Sequence, residues 1–90
     1  MRILRVSADS NPFDVSRSIY KALSSDGQTK LVTIGAGALN QAIKAIIIAR
    51  GRFCSQGNDL VFRSAFGKTV INKQEMTTIE LNLSFINRIT

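Results

Sequence analysis

The chain has no histidine and no tryptophan, one cysteine, one proline and only six acidic residues among 90. Each shortage removes a class of chemistry. Without histidine the usual general base near neutral pH is missing, and no histidine–cysteine metal set can form. The lone Cys54 excludes an internal disulfide and points to a reducing cytoplasm. No base accompanies it, so it reads as a small, partly buried thiol rather than a nucleophile. Among the acids, Asp14 and Asp26 suit helix ends, Asp59 a strand start, Glu75 a turn and Glu80 a water-facing strand position. No two carboxylates are spaced as an acid–base pair, and no serine stands in a nucleophile elbow. The expectation is a non-enzymatic protein that needs no cofactor and no metal.

Long apolar runs are also missing. Ala45 to Ala49 spans five residues between Lys44 and Arg50, too short to cross a bilayer, so no membrane partner is expected. Met1-Arg2-Ile3-Leu4-Arg5 has neither an extended apolar core nor a small-residue cleavage site, and no signal peptide is expected. The expected location is the cytoplasm, with the nucleoid as a candidate destination. Twelve basic residues against six acidic ones leave a charge of +6. That surplus favours polyanions, though solubility alone is the simpler account. The length suits one domain, residues 1–90, close to the size at which self-association helps.

The hydrophobic pattern predicts the order β-α-β-α-β-β. Arg2 to Ser7 alternates, with Leu4 and Val6 on one face. Asn11 then suits a helix N-cap, followed by Pro12 at the first helical position and Asp14 at the third. Val15, Ile19, Ala22 and Leu23 make the apolar stripe, Arg17 and Lys21 lie on the other side, and Asp26-Gly27 ends the helix. Lys30 to Ile34 is apolar on both faces, as a central strand would be. A second helix is expected to close at Gly51, a polar loop to fill Ser55 to Asp59, and Leu60 to Ile71 and Met76 to Ile86 to form a hairpin around Asn72 to Glu75. In the last strand Ile79, Leu81, Leu83 and Phe85 alternate with Thr78, Glu80, Asn82 and Ser84, so one sheet face meets helices and the other water. The fold expected is a two-layer α/β sandwich: a four-stranded mixed sheet with two helices on one face.

The second helix carries more apolar surface than such a fold needs. Leu39, Ala42, Ile43, Ile46 and Ile47 suffice to cover a sheet, yet Ala45, Ile48 and Ala49 are apolar too. Covering of the outer side by a second copy, with Ile47, Ile48 and Phe53 at a two-fold contact, is the expectation. The alternative is that the first helix and Phe53 cover that side within one chain.

Before this helix, a β-branched strand runs into Gly35-Ala36-Gly37. A strand feeding a glycine turn into a helix gathers unpaired N–H groups at one point, where anions are welcome. A dinucleotide fingerprint would need a third glycine where Asn40 stands. Asp59 lies near the right distance for a ribose contact, but 90 residues leave no room for a second mononucleotide half. What remains is a binding turn. Gly37, Asn40, Gln41 and Lys44 share one helical face beside Gly35, and their amide and ammonium groups suit a phosphate or sugar edge. Asn40 and Gln41 have a second reading, in which they bond the neighbouring loop and fix the turn. A further basic patch falls on the hairpin, at Arg63, Lys68 and Lys73, where lysines also protect an exposed strand edge. Phe13, Tyr20 and Phe66 could stack on bases, but each is more simply read as core or staple.

GAGALNQAIKAIIIARG (Gly35 to Gly51), VSADSNP (Val6 to Pro12) and SAF (Ser64 to Phe66) resemble the stage V sporulation protein S family, and the resemblance runs from about Leu4 to Leu83. It implies an Alba-like fold, a regulatory role in spore formation, a homodimer, and DNA or RNA binding by analogy with Alba chromatin proteins. By that analogy the hairpin is an arm that reaches along the nucleic acid, with Lys68 and Lys73 as its charges. The chain departs from the family at Asp9, where a basic residue follows Val-Ser-Ala in the family's pattern. Arg17 and Lys21 could compensate, and the hairpin GKTVINKQEM is more basic than the family's turn. Nucleic acid is therefore the expected partner, through backbone contacts with little sequence selectivity. The alternative is a protein-interaction adaptor in a developmental pathway, using the Gly35 to Lys44 face.

Overall fold

The computed structural model describes residues 1–87. Its elements are β1 (Arg2–Val6), α1 (Pro12–Asp26), β2 (Gln28–Thr33), α2 (Ala36–Cys54), β3 (Asn58–Ile71) and β4 (Gln74–Asn87). They form the expected mixed sheet, in the order β1-β2-β4-β3, with β1 and β2 parallel and the other pairs antiparallel. Both helices pack on the face that carries Val6, Leu31, Leu60, Leu81 and Leu83. No helix among the described residues is long and apolar enough to cross a membrane.

Local chemistry accounts for α1. The Asn11 side chain accepts from the Phe13 N–H at 2.8 Å, and Pro12 follows at the first helical position. Gly27, at φ 73°, ends the helix, and its N–H donates to the Leu23 carbonyl at 2.9 Å. Ile19, Ala22 and Leu23 are buried as the stripe requires, and Val15 is half-buried. Ser16 is buried as well and satisfies its hydroxyl by donating to the Phe13 carbonyl at 2.6 Å. In the central strand β2, Thr29 and Thr33 do the same on the helix side, donating to the carbonyls of Arg2 and Ile79 at 2.8 and 3.0 Å.

Helix α2 differs from expectation in length and in rotation. It continues through Gly51 to Cys54, and the left-handed turn falls to Gly57 at φ 86°. The continuation places Phe53, which is 2% exposed, in a stack with Tyr20 and edge-on to Phe85. Burying an aromatic ring outweighs the ~1 kcal/mol penalty of a mid-helix glycine. Phe53 is thus part of the chain's own core and not, as expected, of a subunit contact. The buried side of α2 is Ala38, Ala42, Ala45, Ile46, Ala49 and Phe53. Ile47, expected to help cover the sheet, is instead 63% exposed.

The hairpin is tighter than expected. Its turn is only Asn72-Lys73, at φ 52° and 63°, and the ladder runs without interruption from Asn58–Asn87 to Ile71–Gln74. Positive φ at both central residues is the geometry that matches strand twist across a two-residue loop. Because β2 pairs with β4 only from Thr33–Ile79 to Gln28–Ser84, the rest of the hairpin projects beyond the body. The molecule measures 48 × 21 × 20 Å.

Gly51 has an ordinary helical φ, and an added Cβ would meet nothing within 4 Å. Gly51→Ala should therefore stabilise the fold by ~0.5–1 kcal/mol, seen as a higher urea midpoint. An unchanged midpoint would contradict the continuous helix.

Candidate functional site

The sheet gathers several candidate residues at one end. Val6 and Thr33 are paired at the C-terminal ends of the parallel strands, and each chain segment then leads into the N-terminus of a helix. Thr33 also pairs with Ile79, which pairs with Phe66. The hairpin therefore leaves the body at the level where β2 gives way to Gly35. The glycine turn, the Ser7–Ser10 loop, the starts of both helices and the root of the arm share that end of the molecule.

Within this group each residue has a distinct part. Gly35 takes φ 87° and caps α2 with no side-chain hydrogen bond, leaving first-turn N–H groups open. Gly37 lies inside the helix, not in the turn, and a Cβ there would stand 3.0 Å from the Ala8 Cβ. Its role is close approach of the loop. Gln41 holds the same loop, donating to the Ser10 carbonyl at 2.9 Å, which is the turn-fixing reading. Asn40 remains exposed. Asp9, next to Ala8, adds a carboxylate to this loop.

The basic candidates are dispersed. Arg17 donates to Asp14 at 2.6 Å in an exposed i,i+3 pair, and Lys21 is exposed farther along α1. Lys44 lines a shallow groove with Pro12, Phe13, Ile47 and Ile48. The hairpin patch is split by the alternation of the strand. Lys68 shares the helix-side face with Phe62 and Phe66, whereas Arg63 lies on the opposite, open face. Lys68 pairs with Glu75 at 3.3 Å, both well exposed. Lys73 occupies the tip at a positive φ that glycine would favour.

Two features go beyond what the sequence alone indicated. Arg63 is in one cross-strand row with Ile3, Lys30 and Asn82, and the adjoining row holds Arg5, Val32, Glu80 and Ala65. The open face thus carries Arg5, Lys30 and Arg63 against one acid, Glu80, which pairs with Lys30 at 3.1 Å. Alternation of Arg5 with Leu4 and Val6 was the signal available for this face. The second feature is aromatic: Phe13 and Phe66, read as core or staple, are 61% and 82% exposed. Tyr20 is engaged, stacked on Phe53 and with the Arg52 guanidinium carbon 3.6 Å from its ring centroid. At the arm's root Gly67 makes room for Glu80: a Cβ there would fall on the Glu80 carboxylate and 2.7 Å from Thr78 Oγ1.

Apart from this end, Arg50 grips Asp59 through Nε at 2.8 Å and a second nitrogen at 3.3 Å. That bond, with the Leu60 N–H at 2.7 Å, holds the Asp59 carboxyl down at about 2. The same bond raises Arg50. Cys54 Sγ also lies 3.7 Å from Asp59. The trio ties the end of α2 to the start of β3.

Among the described residues, no three of His, Cys, Asp or Glu converge as metal ligands. Fold and site together define a small two-layer α/β module with a projecting basic hairpin and polar groups spread over its surface. Residues 2–86 match the family described as Stage V sporulation protein S. The chain belongs to that family, whose name ties it to spore formation.

Because the folded Asp59 sits below its ordinary value, the Arg50 pair contributes stability above about pH 4, where an unfolded aspartate is ionised. The contribution fades as pH falls toward about 2. Asp59→Asn should remove part of the loss of stability across that window, measured as urea midpoints at successive pH values. An acid profile identical to the parent's would contradict the pairing.

Proposed function

We propose that this protein is an Alba-like homodimer that binds nucleic acid in the cytoplasm and regulates spore formation through contacts dominated by the phosphate backbone. The observation that carries the reading is the arm. From Phe66 to Lys73 the hairpin extends about 23 Å at the usual strand rise, with Lys68 on one face and Lys73 at the tip. A lysine held at a positive φ keeps charge at the tip at some conformational expense. Open first-turn N–H groups of α2 at the arm's root, and Arg5, Lys30 and Arg63 on the open sheet face, add to the same potential. A two-fold dimer would present two such arms.

The groove of Pro12, Phe13, Lys44, Ile47 and Ile48 supports the dimer. Phe13 and Ile47 are among the most exposed large apolar side chains, and a second copy would remove them from water. The same groove supports a second reading, in which the protein is an adaptor for another protein. Salt separates the two, since a phosphate-bound complex weakens steeply with ionic strength and an apolar contact does not.

Fluorescence anisotropy with labelled duplex DNA, single-stranded DNA and RNA should show binding that fades as salt rises. Lys68→Glu with Lys73→Glu should weaken it on the order of tenfold or more. No binding at low salt would overturn the reading in favour of the adaptor. For the dimer, Ile47→Glu should halve the mass seen by light scattering without loss of fold, because Ile47 is 63% exposed in one chain. An unchanged mass would remove Ile47 from the contact.

A further inference from the structure

The chain leaves Phe66 82% exposed at the root of the arm, while every other aromatic of the hairpin is better covered. The ring lies on the helix-side face of β3, an edge strand of the sheet. Its same-face neighbours along the strand are Ser64 and Lys68, one hydroxyl and one ammonium, each ~7 Å away at the strand repeat. With Ser64, Ala65 and Ile79 it lines an open cleft of about 200 Å³. Pairing of Phe66 with Ile79, and of Ile79 with Thr33, sets this cleft level with the Gly35 turn and the open N–H groups of α2.

From this arrangement we infer that Phe66 is a stacking platform for an unpaired nucleobase, and that the nucleic acid this protein prefers is single-stranded. The inference rests on the nucleic-acid reading above and adds the class of strand. A ring face exposed to solvent stacks on any base, because every base has a π-face. A duplex keeps its bases stacked on one another and offers that ring nothing to cover it. Lys68 supplies the phosphate partner: its bond to Glu75 is an exposed, solvent-screened pair of the weak kind, which a phosphate displaces. The flanking free edge of β3 offers backbone donors and acceptors to the rim of the base.

A second copy of the chain is the competing occupant, and the surroundings argue against it. A subunit core wants contiguous apolar surface. Phe66 stands between a serine and a lysine along its strand, whereas the apolar groove on the helices joins Pro12, Phe13, Ile47 and Ile48.

The chain has no tryptophan, so Phe66→Trp installs a single indole reporter. A short oligothymidylate should quench its fluorescence and a duplex of the same length should not. Phe66→Ala should weaken oligothymidylate binding on the order of tenfold and leave duplex binding unchanged, while Phe66→Tyr should retain it. Circular dichroism should confirm that the variants fold, as the exposure of the ring leads one to expect. If both ligands bind the parent protein, yet the indole is not quenched and Phe66→Ala binds as the parent does, the stacking platform is overturned and the nucleic-acid reading stands. If neither ligand binds at low salt, both fall together. A halved mass for Phe66→Ala in light scattering would also overturn the platform and assign the ring to a subunit contact.

Discussion

A seam of alanines holds α2 against the rest of the molecule. Ala38, Ala42, Ala45 and Ala49 recur at i, i+4, i+7 and i+11, and none is more than 2% exposed. Small side chains let a helix approach its neighbours closely, and a larger group in such a seam costs about 1–3 kcal/mol through overpacking. With alanines turned inward, only Ile46 and Phe53 add bulk to the buried side of α2. Ile43 is left at the margin of the core, Ile48 is half-buried and Ile47 is in solvent. The apolar groove beside Phe13 is therefore a consequence of how closely α2 must pack. The surface proposed for a subunit contact and the core that holds the helix are two sides of one packing choice.

The sheet imposes the second order on the molecule. Its parallel pair brings both helix starts to one end, and the antiparallel pair of β3 and β4 sends a long hairpin out from that same end. Gly67 sits where the arm leaves the body, with the Glu80 carboxylate over its backbone and Lys30 completing the pair. The two faces of the arm then differ. Phe66, Lys68 and Val70 stand free on the helix-side face, while Thr78 on the other is almost wholly covered. Shape, charge and aromatic exposure are the features of the free face and the tip on which the proposed nucleic-acid contact rests.

Much of this was legible in the linear chain. The Asn11-Pro12 start and the Gly27 end of α1, the alternation of β4 and the β-branched run before Gly35 are local signals, and the structure follows them. The misreadings share one cause. Gly51 looked like a helix end because glycine has a low helical propensity, but the buried Phe53, stacked on Tyr20 and edge-on to Phe85, carries the helix onward. Ile47 looked like core because isoleucine is more hydrophobic than alanine, whereas close packing selects for size. Phe66 looked like core because aromatic residues usually are, and only its position on an edge strand beyond the helices leaves it bare.

The sequence alone determined the order of elements, the caps of α1, the two-faced character of the last strand and the excess of positive charge. Those properties depend on neighbours within a few residues, or on composition, and need no knowledge of what packs where. Tertiary structure decided which side of α2 is buried, which faces Arg63 and Lys68 occupy, that Gln41 is committed to the Ser10 carbonyl, and that Phe53 is inside while Phe66 is outside. Each of these turns on contacts between segments far apart in the chain, where strand register and the room available between elements choose among side chains of nearly equal local preference.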